Sequence, residues 1–306
     1  MNFFITMQSV VIALLFMVPG FLLTKAKLAK PEHSKTLSAI LIYVSGPAMV
    51  INAFQTTKYT KQASLNMLYF FIVTLILQIL AILIFYLIFK KKFDEPKYRI
   101  IAIANAFGNV GFFGMPLIKS ILPEHPIALC YSSMFMLSMN ILLFTIGIFC
   151  ITGEKKYISL KSAFINPTMI AMVVAIPLYL LSIEFHPILN TVCVSLANMT
   201  MPLCMIILGI RLASISFKGL FVRPSIYAIC LIKLVIFPLF CYCAVYFLPL
   251  DDVFKASMLI LASAPCAAVI LTMAEMHDKE QEIAANALVI TTILSAITIP
   301  LILLIL

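Results

Sequence analysis

Two short segments of the chain place residues that can bind an anion inside apolar runs. Residues 108–111 read Gly-Asn-Val-Gly, and residues 263–266 read Ser-Ala-Pro-Cys. Glycine and proline disfavour a helix interior by about 1 and 3 kcal/mol, so both segments are predicted to interrupt helices. Helices that begin again near Asn109 and Pro265 would present unpaired N–H groups with a partial positive charge, which favours an anionic ligand. Asn109 adds an amide and Ser263 a hydroxyl, and both groups can donate and accept hydrogen bonds.

Lys233 is the one basic residue that falls well inside a predicted membrane span. It lies about eight residues from the start of that span, which is roughly 12 Å into a hydrocarbon core of about 30 Å. A cation at this depth costs about 2.5–3.5 kcal/mol on insertion scales unless it finds a partner. Two interpretations stay open. The ammonium either reaches back to the interface on its four methylenes, or it faces the interior and meets backbone carbonyls, polar side chains or an anionic substrate.

These features define a set of candidate substrate-binding residues: Gly108, Asn109, Gly111, Asn140, Lys233, Ser263, Pro265 and Cys266. For the small residues the alternative is close helix packing, and for the polar ones it is hydrogen bonding between helices. The same two interpretations apply to further polar residues in apolar runs, namely Gln78, Ser138, Asn286, Thr291, Thr292 and Ser295. No two of the eight cysteines form a CxxC pair. Neither a disulfide framework nor a metal site is therefore predicted. No cofactor is expected.

The composition indicates that transmembrane helices must position these residues. The chain has 306 residues, of which 63% are hydrophobic and 11% charged, whereas a soluble domain carries about 25% charged residues. The mean hydropathy is +1.14. Soluble enzymes, nucleic-acid-binding proteins and disordered chains are therefore excluded. A β-barrel is excluded because the apolar residues form unbroken runs instead of alternating.

Hydropathy and charge predict a topology with ten spans. Counting roughly 20 apolar residues per span, these are approximately 4–24, 37–54, 65–89, 100–122, 127–151, 167–183, 188–210, 225–248, 254–275 and 283–305. Sixteen Lys and Arg residues fall in the connections on one side, and four fall on the other side. Because basic residues collect in cytoplasmic loops, both termini are predicted outside the cytoplasm. The same rule explains the net charge of +9 without a nucleic-acid partner.

The ten predicted spans divide into two similar halves, residues 1–152 and 153–306. A shift of 155 residues aligns Pro47 with Pro202, Gln78 with Lys233, and the first predicted helix break with the second. Since each half holds an odd number of spans, the second half must enter the membrane from the opposite side. Such inverted repeats are typical of secondary transporters with a site at the membrane midplane. The alternative is a chance alignment of hydrophobic helices.

Segments at both predicted helix breaks resemble those of a known family. Residues 108–117 are similar to the N-x(4)-G-x-P-L segment of the auxin efflux carrier family, and residues 264–265 with 274–276 are similar to a stretch near that family's C-terminus. The resemblance implies crossing, broken fourth and ninth spans, as in bile-acid sodium symporters and sodium/proton antiporters. It implies an organic-acid substrate, with Asn109 as a substrate contact and Pro265 as the crossover proline. Gly108 and Cys266 depart from the plant pattern, which puts auxin itself in doubt.

The sequence therefore predicts an all-α secondary transporter of small organic anions that works by alternating access. We expect it in a bacterial cytoplasmic membrane, among lipids. A channel or a ligand-sensing receptor on the same fold is the alternative, whereas an enzyme is not expected because no intramembrane protease motif is present. All 12 acidic residues lie in loops or at helix ends, and Glu275 is the closest to a span interior. This argues against a cation antiporter. Substrate identity, transport direction, coupling to sodium or protons, and a homodimer all stay open.

Overall fold

The computed structural model describes residues 3–30, 32–214 and 224–306, and the regular structure in these ranges is helical, without strands. The main helices are α1 (Met7–Lys25), α2 (His33–Gln55), α3 (Lys61–Ile88), α4 (Pro96–Ala106), α5 (Val110–Ile121), α6 (Ile127–Thr152), α7 (Pro167–Leu180), α8 (Pro187–Ser214), α9 (Ser225–Tyr246), α10 (Asp252–Ala262), α11 (Ala268–Met276) and α12 (Gln281–Ile305). Shorter helical turns in the connections are Lys90–Lys92, Lys155–Tyr157 and Leu160–Phe164.

Seven of the described helices, namely α1, α2, α3, α6, α8, α9 and α12, are long and apolar enough to cross a membrane. The prediction of an all-helical integral membrane protein is therefore confirmed. The predicted fourth and ninth spans each consist of two shorter helices, α4 with α5 and α10 with α11. The predicted sixth span is α7, whose 14 residues reach only about 21 Å. The count of ten crossings and the inverted repeat stay predictions, as does the placement of the termini. Lys218 and Arg223, which contribute to the charge count, lie outside the described residues.

Local sequence signals explain where several helices begin. The Asn166 side chain accepts a hydrogen bond from the Met169 N–H at 3.0 Å, and Pro167 fills the first position of α7. The Asp251 carboxylate accepts from the Phe254 N–H at 2.7 Å at the start of α10. Such caps satisfy N–H groups that have no partner inside the helix, which matters most where water is scarce.

The helices pack as two groups. The first group consists of α1, α2, α7 and α8, in which α1 lies along α8, and α2 lies along α7 and α8. Gly20 and Gly209 allow α1 and α8 to approach backbone to backbone, because a Cβ at either position would collide with the main chain of the facing helix. Small residues at such contacts are a common means of helix association in membranes.

The second group consists of α3, α4, α5, α6, α9, α10, α11 and α12. Its packing includes the pairs α3–α6, α9–α10 and α11–α12. A cluster of three buried rings joins α3, α6 and α10: the centroid of Phe70 lies 4.7 Å from those of both Tyr131 and Phe254. The two groups touch through α1 with α12 and α2 with α6. The interrupted helices that hold the candidate site all belong to this second group.

Candidate functional site

The two helix interruptions occur where the sequence predicts them. α4 ends at Ala106, the backbone of Phe107 is extended, and α5 begins at Val110 with a π-helical turn. α10 ends at Ala262, and α11 begins at Ala268. The sequence predicts that the helix after the second break begins near Pro265. In the structure, α11 begins three residues later, at Ala268. Each break leaves main-chain groups without their helical partners.

The two interruptions pair with each other. The Asn109 N–H donates to the Pro265 carbonyl at 2.7 Å, and the Ala267 N–H donates to the Phe107 carbonyl at 3.2 Å. Between these bonds, Gly108 and Cys266 form an isolated antiparallel bridge. Non-helical backbone is tolerated at membrane depth only where protein or a cavity satisfies it. The paired segments meet this requirement, and we call the region that they form the crossover.

Asn109 links the crossover to the first helix group. Its side chain is 4% exposed, and its Nδ2 lies 3.9 Å from the Sγ of Cys204 on α8. Sulfur is a weak acceptor, so this bond holds the amide loosely. Cys204 could not be assigned to this region from the sequence, because it resembles the other cysteines in apolar runs. Asn109 thus offers an amide at the boundary between the two helix groups.

Ser263 and Cys266 direct their polar atoms toward the protein backbone. The Ser263 hydroxyl donates to the Leu259 carbonyl at 2.7 Å, one turn back along α10. The Cys266 thiol donates to the Ala104 carbonyl at 3.2 Å, and the Cys266 N–H donates to the Thr291 hydroxyl at 3.1 Å. The two side chains therefore bond to α10 and α4, and the Cys266 backbone bonds to α12.

Lys233 lies in the protein interior, beside the crossover. Its side chain is fully buried, and its Nζ donates to the Ala262 carbonyl at the end of α10, at 3.2 Å. The Nζ also lies 4.5 Å from the ring centroid of Phe237. Both contacts favour a cation, since the C-terminus of a helix and the face of an aromatic ring are electronegative. The Lys233 ammonium therefore faces the protein interior and does not reach back to the membrane interface.

The position of the Lys233 ammonium also explains why residue 108 is a glycine. A Cβ at this position would lie 3.1 Å from the Lys233 Nζ and 3.4 Å from the Ala264 carbonyl oxygen. A side chain at position 108 would therefore displace the ammonium. The departure from the plant pattern at Gly108 has a steric reason in this chain.

The crossover carries positive charge that no buried carboxylate balances. Within the described residues, the buried charged side chains are Arg99 and Lys233. Arg99 lies elsewhere, and it donates to the Cys150 carbonyl at 2.9 Å at the end of α6. The charge of Lys233 adds to the partial positive charge at the N-termini of α5 and α11.

Gly111 and Asn140 differ from the other candidates. A Cβ on Gly111 would lie 2.8 Å from the Met136 sulfur, so Gly111 makes room for α6 against α5. Asn140 lies further along α6 and is half-buried, and no hydrogen bond of the described residues joins its side chain to the crossover. The structure thus brings together Gly108, Asn109, Lys233, Ser263, Pro265 and Cys266, with Gly111 beside them. Asn140 lies on α6 between Met136, which faces Gly111, and Gly147, which faces Phe107.

Comparison with known proteins identifies the family of this chain. A family model described as membrane transport protein matches residues 5–303. The chain is 25% identical to an uncharacterized transporter of Methanocaldococcus jannaschii over 97% of both proteins. It is 24% identical to an uncharacterized transporter of Methanothermobacter thermautotrophicus over 96% of both. The chain therefore belongs to the membrane transport protein family, the family of the auxin efflux carriers that its first helix break resembles.

Proposed function

We propose that this protein is a secondary transporter of small organic anions, which bind at the crossover beside Asn109. The observation that carries the proposal is the pairing of two interrupted helices next to a buried ammonium. Interrupted helices at the membrane midplane are the usual substrate site of secondary transporters. Two helix N-termini and Lys233 supply positive charge, and Asn109 supplies an amide that fixes the orientation of the ligand.

We also infer that residues 1–152 and 153–306 form inverted repeats. Contacts between positions 155 residues apart support this. The Thr200 hydroxyl donates to the Ser45 carbonyl at 3.1 Å, and these two residues are counterparts under the shift. Helix packing follows the same rule, because α1 packs on α8 as α7 packs on α2.

The two helix interruptions also make equivalent contacts under the shift of 155 residues. Gly111 approaches Met136, and their counterparts Cys266 and Thr291 are also in contact.

Contacts between connections support the predicted sides of the membrane. Gln55 donates to the Ile183 carbonyl at 3.0 Å, and both lie on the side predicted outside. Tyr157 packs on His277 with ring centroids 4.7 Å apart, and both lie on the side predicted cytoplasmic. The excess of Lys and Arg on this second side supports a cytoplasmic membrane location with both termini outside.

Alternating access would require the two helix groups to move against each other. Polar contacts join them at two places: Lys119 donates to Asn198 at 3.0 Å, and Arg211 lies 3.2 Å from Glu275. Exposed pairs of this kind are worth only about 0–1 kcal/mol, so they can break in turn without a large barrier. This arrangement favours a carrier over a channel, which would need a continuous pore.

The test is counterflow in proteoliposomes, with labelled malate and labelled 3-phenyllactate as probes. Unlabelled acid inside the vesicles accelerates uptake of the same labelled acid through a carrier, but not through a channel. A receptor gives no flux. Asn109→Ala should reduce counterflow at least tenfold while expression and thermal stability are retained, because a weak bond to sulfur is all that the fold loses. Asn66→Ala is the matched control and should transport normally, because Asn66 bonds to Asp251 at the start of α10 and not to the crossover.

Normal counterflow by Asn109→Ala would refute the assignment of the site. Equal loss of counterflow in Asn66→Ala would show that the effect of Asn109→Ala is not specific to the crossover.

A further inference from the structure

A cleft of about 660 Å³ lies at one end of the second helix group, and we call it the rim cleft. Its walls come from the connection between α5 and α6, the end of α9, the start of α10 and the residue after α12. The residues on which its chemistry depends are His125, Tyr242, Tyr246, Asp252, Lys255 and Leu306. These residues belong neither to the crossover nor to the first helix group. The rim cleft is therefore separate from the proposed transport site, and its volume suits a small polar group.

The rim cleft opens toward the lipid-facing surface of the protein. The first half of α9 packs along α12, whereas its second half packs on α10, so α9 and α12 separate toward this end. The side chains beside the gap are exposed and apolar: Phe247 is 86% exposed, and Leu301 and Leu304 on α12 are more than half exposed. Tyrosines at the ends of membrane spans, such as Tyr242 and Tyr246, are typical of the level of the lipid headgroups. A lipid at this surface would meet the cleft with its headgroup.

The rim cleft contains one acidic and one basic side chain that do not neutralise each other. Asp252 and Lys255 lie three residues apart on α10, a spacing at which opposite charges can pair. Neither residue takes part in the ion pairs found within the described residues. The Lys255 ammonium instead lies 5.8 Å from the ring centroid of Tyr246. The cap of α10 and the bond to α3 come from the preceding residue, Asp251.

The surroundings favour both charges where they are. Asp252 lies in the first turn of α10, where the helix dipole favours a negative charge. The Tyr246 ring favours the cation of Lys255. His125 adds an imidazole that can donate a hydrogen bond from the connection between α5 and α6. A ligand that complements the rim cleft therefore carries an anionic group and a cationic group a short distance apart.

We propose that the rim cleft binds a phospholipid whose headgroup joins a phosphate to a primary ammonium through two carbons, as in phosphatidylethanolamine. The phosphate accepts hydrogen bonds from Lys255 and His125, and the ammonium donates to the Asp252 carboxylate. Side chains three residues apart on a helix have Cβ atoms about 5–6 Å apart, a distance that a two-carbon link can span. The acyl chains lie along the exposed apolar side chains of α9 and α12.

Other ligands with part of this chemistry fit less well. Phosphatidylglycerol has the phosphate without a cation, so Asp252 would face a like charge. Phosphatidylcholine has a cation whose methyl groups cannot donate a hydrogen bond of the ammonium type to a carboxylate. Glycerophosphoethanolamine has both charges but no acyl chains, so it gains nothing from the apolar surface of α9 and α12. These three molecules are the comparisons that isolate each part of the proposed contact.

Native mass spectrometry of the delipidated protein in detergent measures the binding. The protein is titrated with phosphatidylethanolamine, phosphatidylglycerol and phosphatidylcholine of identical acyl chains, and with glycerophosphoethanolamine. We expect the dissociation constant of phosphatidylethanolamine to be at least about threefold lower than those of the other two lipids. This is the size expected for one charge-assisted contact at a partly exposed site. Glycerophosphoethanolamine should not bind at the same concentrations.

Two variants and two matched controls connect this preference to the rim cleft. Asp252→Asn should abolish the preference over phosphatidylglycerol, because the ammonium loses its partner and the like charge is removed. Lys255→Met should weaken binding of all three lipids by about threefold. Glu184→Gln and Lys61→Met remove the same charges from exposed positions on the same predicted face and should leave binding unchanged. Since Asp251 caps α10, Asp252→Asn is expected to fold, and thermal unfolding checks this.

The outcomes separate this inference from the proposed function. Equal binding of phosphatidylethanolamine and phosphatidylglycerol, or a preference that survives in Asp252→Asn, would overturn the lipid site. Tightest binding of phosphatidylcholine would also overturn it, because the aromatic rings and not Asp252 would then hold the cation. Binding of glycerophosphoethanolamine as tightly as the lipid would point to a soluble zwitterion and would overturn it as well. Counterflow through the crossover is a separate measurement, so each proposal can fail without the other.

Discussion

Replacing Lys233 by glutamine should weaken substrate binding by one to two orders of magnitude. The Lys233 Nζ would lie 3.1 Å from a Cβ on Gly108, and neighbouring Cα atoms are about 3.8 Å apart. A carboxylate held by the side chain of the next residue, Asn109, would thus lie roughly 7–10 Å from the ammonium. At an effective dielectric constant of about 20, two unit charges at this distance attract by about 1.7–2.4 kcal/mol, or roughly 15- to 60-fold in affinity.

The fold should tolerate this change. The Ala262 carbonyl and the Phe237 ring lose a charged partner, but the chain no longer has to bury a cation, which costs about 2.5–3.5 kcal/mol. Lys233→Met, which keeps the volume, should therefore unfold at the wild-type temperature or above it. Lys233→Arg should not restore binding, because the larger guanidinium would press against Gly108 and Ala264.

The assay is the dissociation constant of the substrate that wild-type protein transports, measured beside thermal unfolding. Lys255→Gln serves as the control, since Lys255 lies near one face and stacks on Tyr246 instead of approaching the crossover. If Lys233→Gln binds with unchanged affinity while unfolding normally, the ammonium does not act on the substrate. The electrostatic reasoning would then be refuted, although the burial of Lys233 would stand.

Two further predictions concern topology and packing. A cysteine at Thr60 should react with an impermeant thiol reagent added outside cells, whereas a cysteine at Phe93 should not; the reverse pattern would refute the orientation assigned from basic residues. Gly209→Leu should lower the thermal unfolding temperature by several degrees, because its side chain would collide with the main chain at Met17 and overpacking of this kind destabilises by about 1–3 kcal/mol. An unchanged unfolding temperature would show that α1 and α8 can separate there.

The sequence by itself determined the properties that depend on local composition. Apolar runs require a membrane environment, because no polar surface of sufficient size exists. Glycine and proline weaken a helix wherever they occur, so both interruptions could be predicted within a few residues. The depth of Lys233 follows from the helical rise. The motif around Asn109 was enough to indicate the family, which the comparison with known proteins confirmed.

Only the tertiary structure decided how these parts meet. The pairing of Asn109 with Pro265, the direction of the Lys233 side chain and the contact with Cys204 depend on the rotation and tilt of separate helices. The period of one helix does not specify the helix that packs against it. A cleft of about 460 Å³ between the two helix groups could not be predicted at all. Its walls come from α1 with α2, α5 with α6, and α8, which are three separate parts of the chain that meet only when the two groups pack.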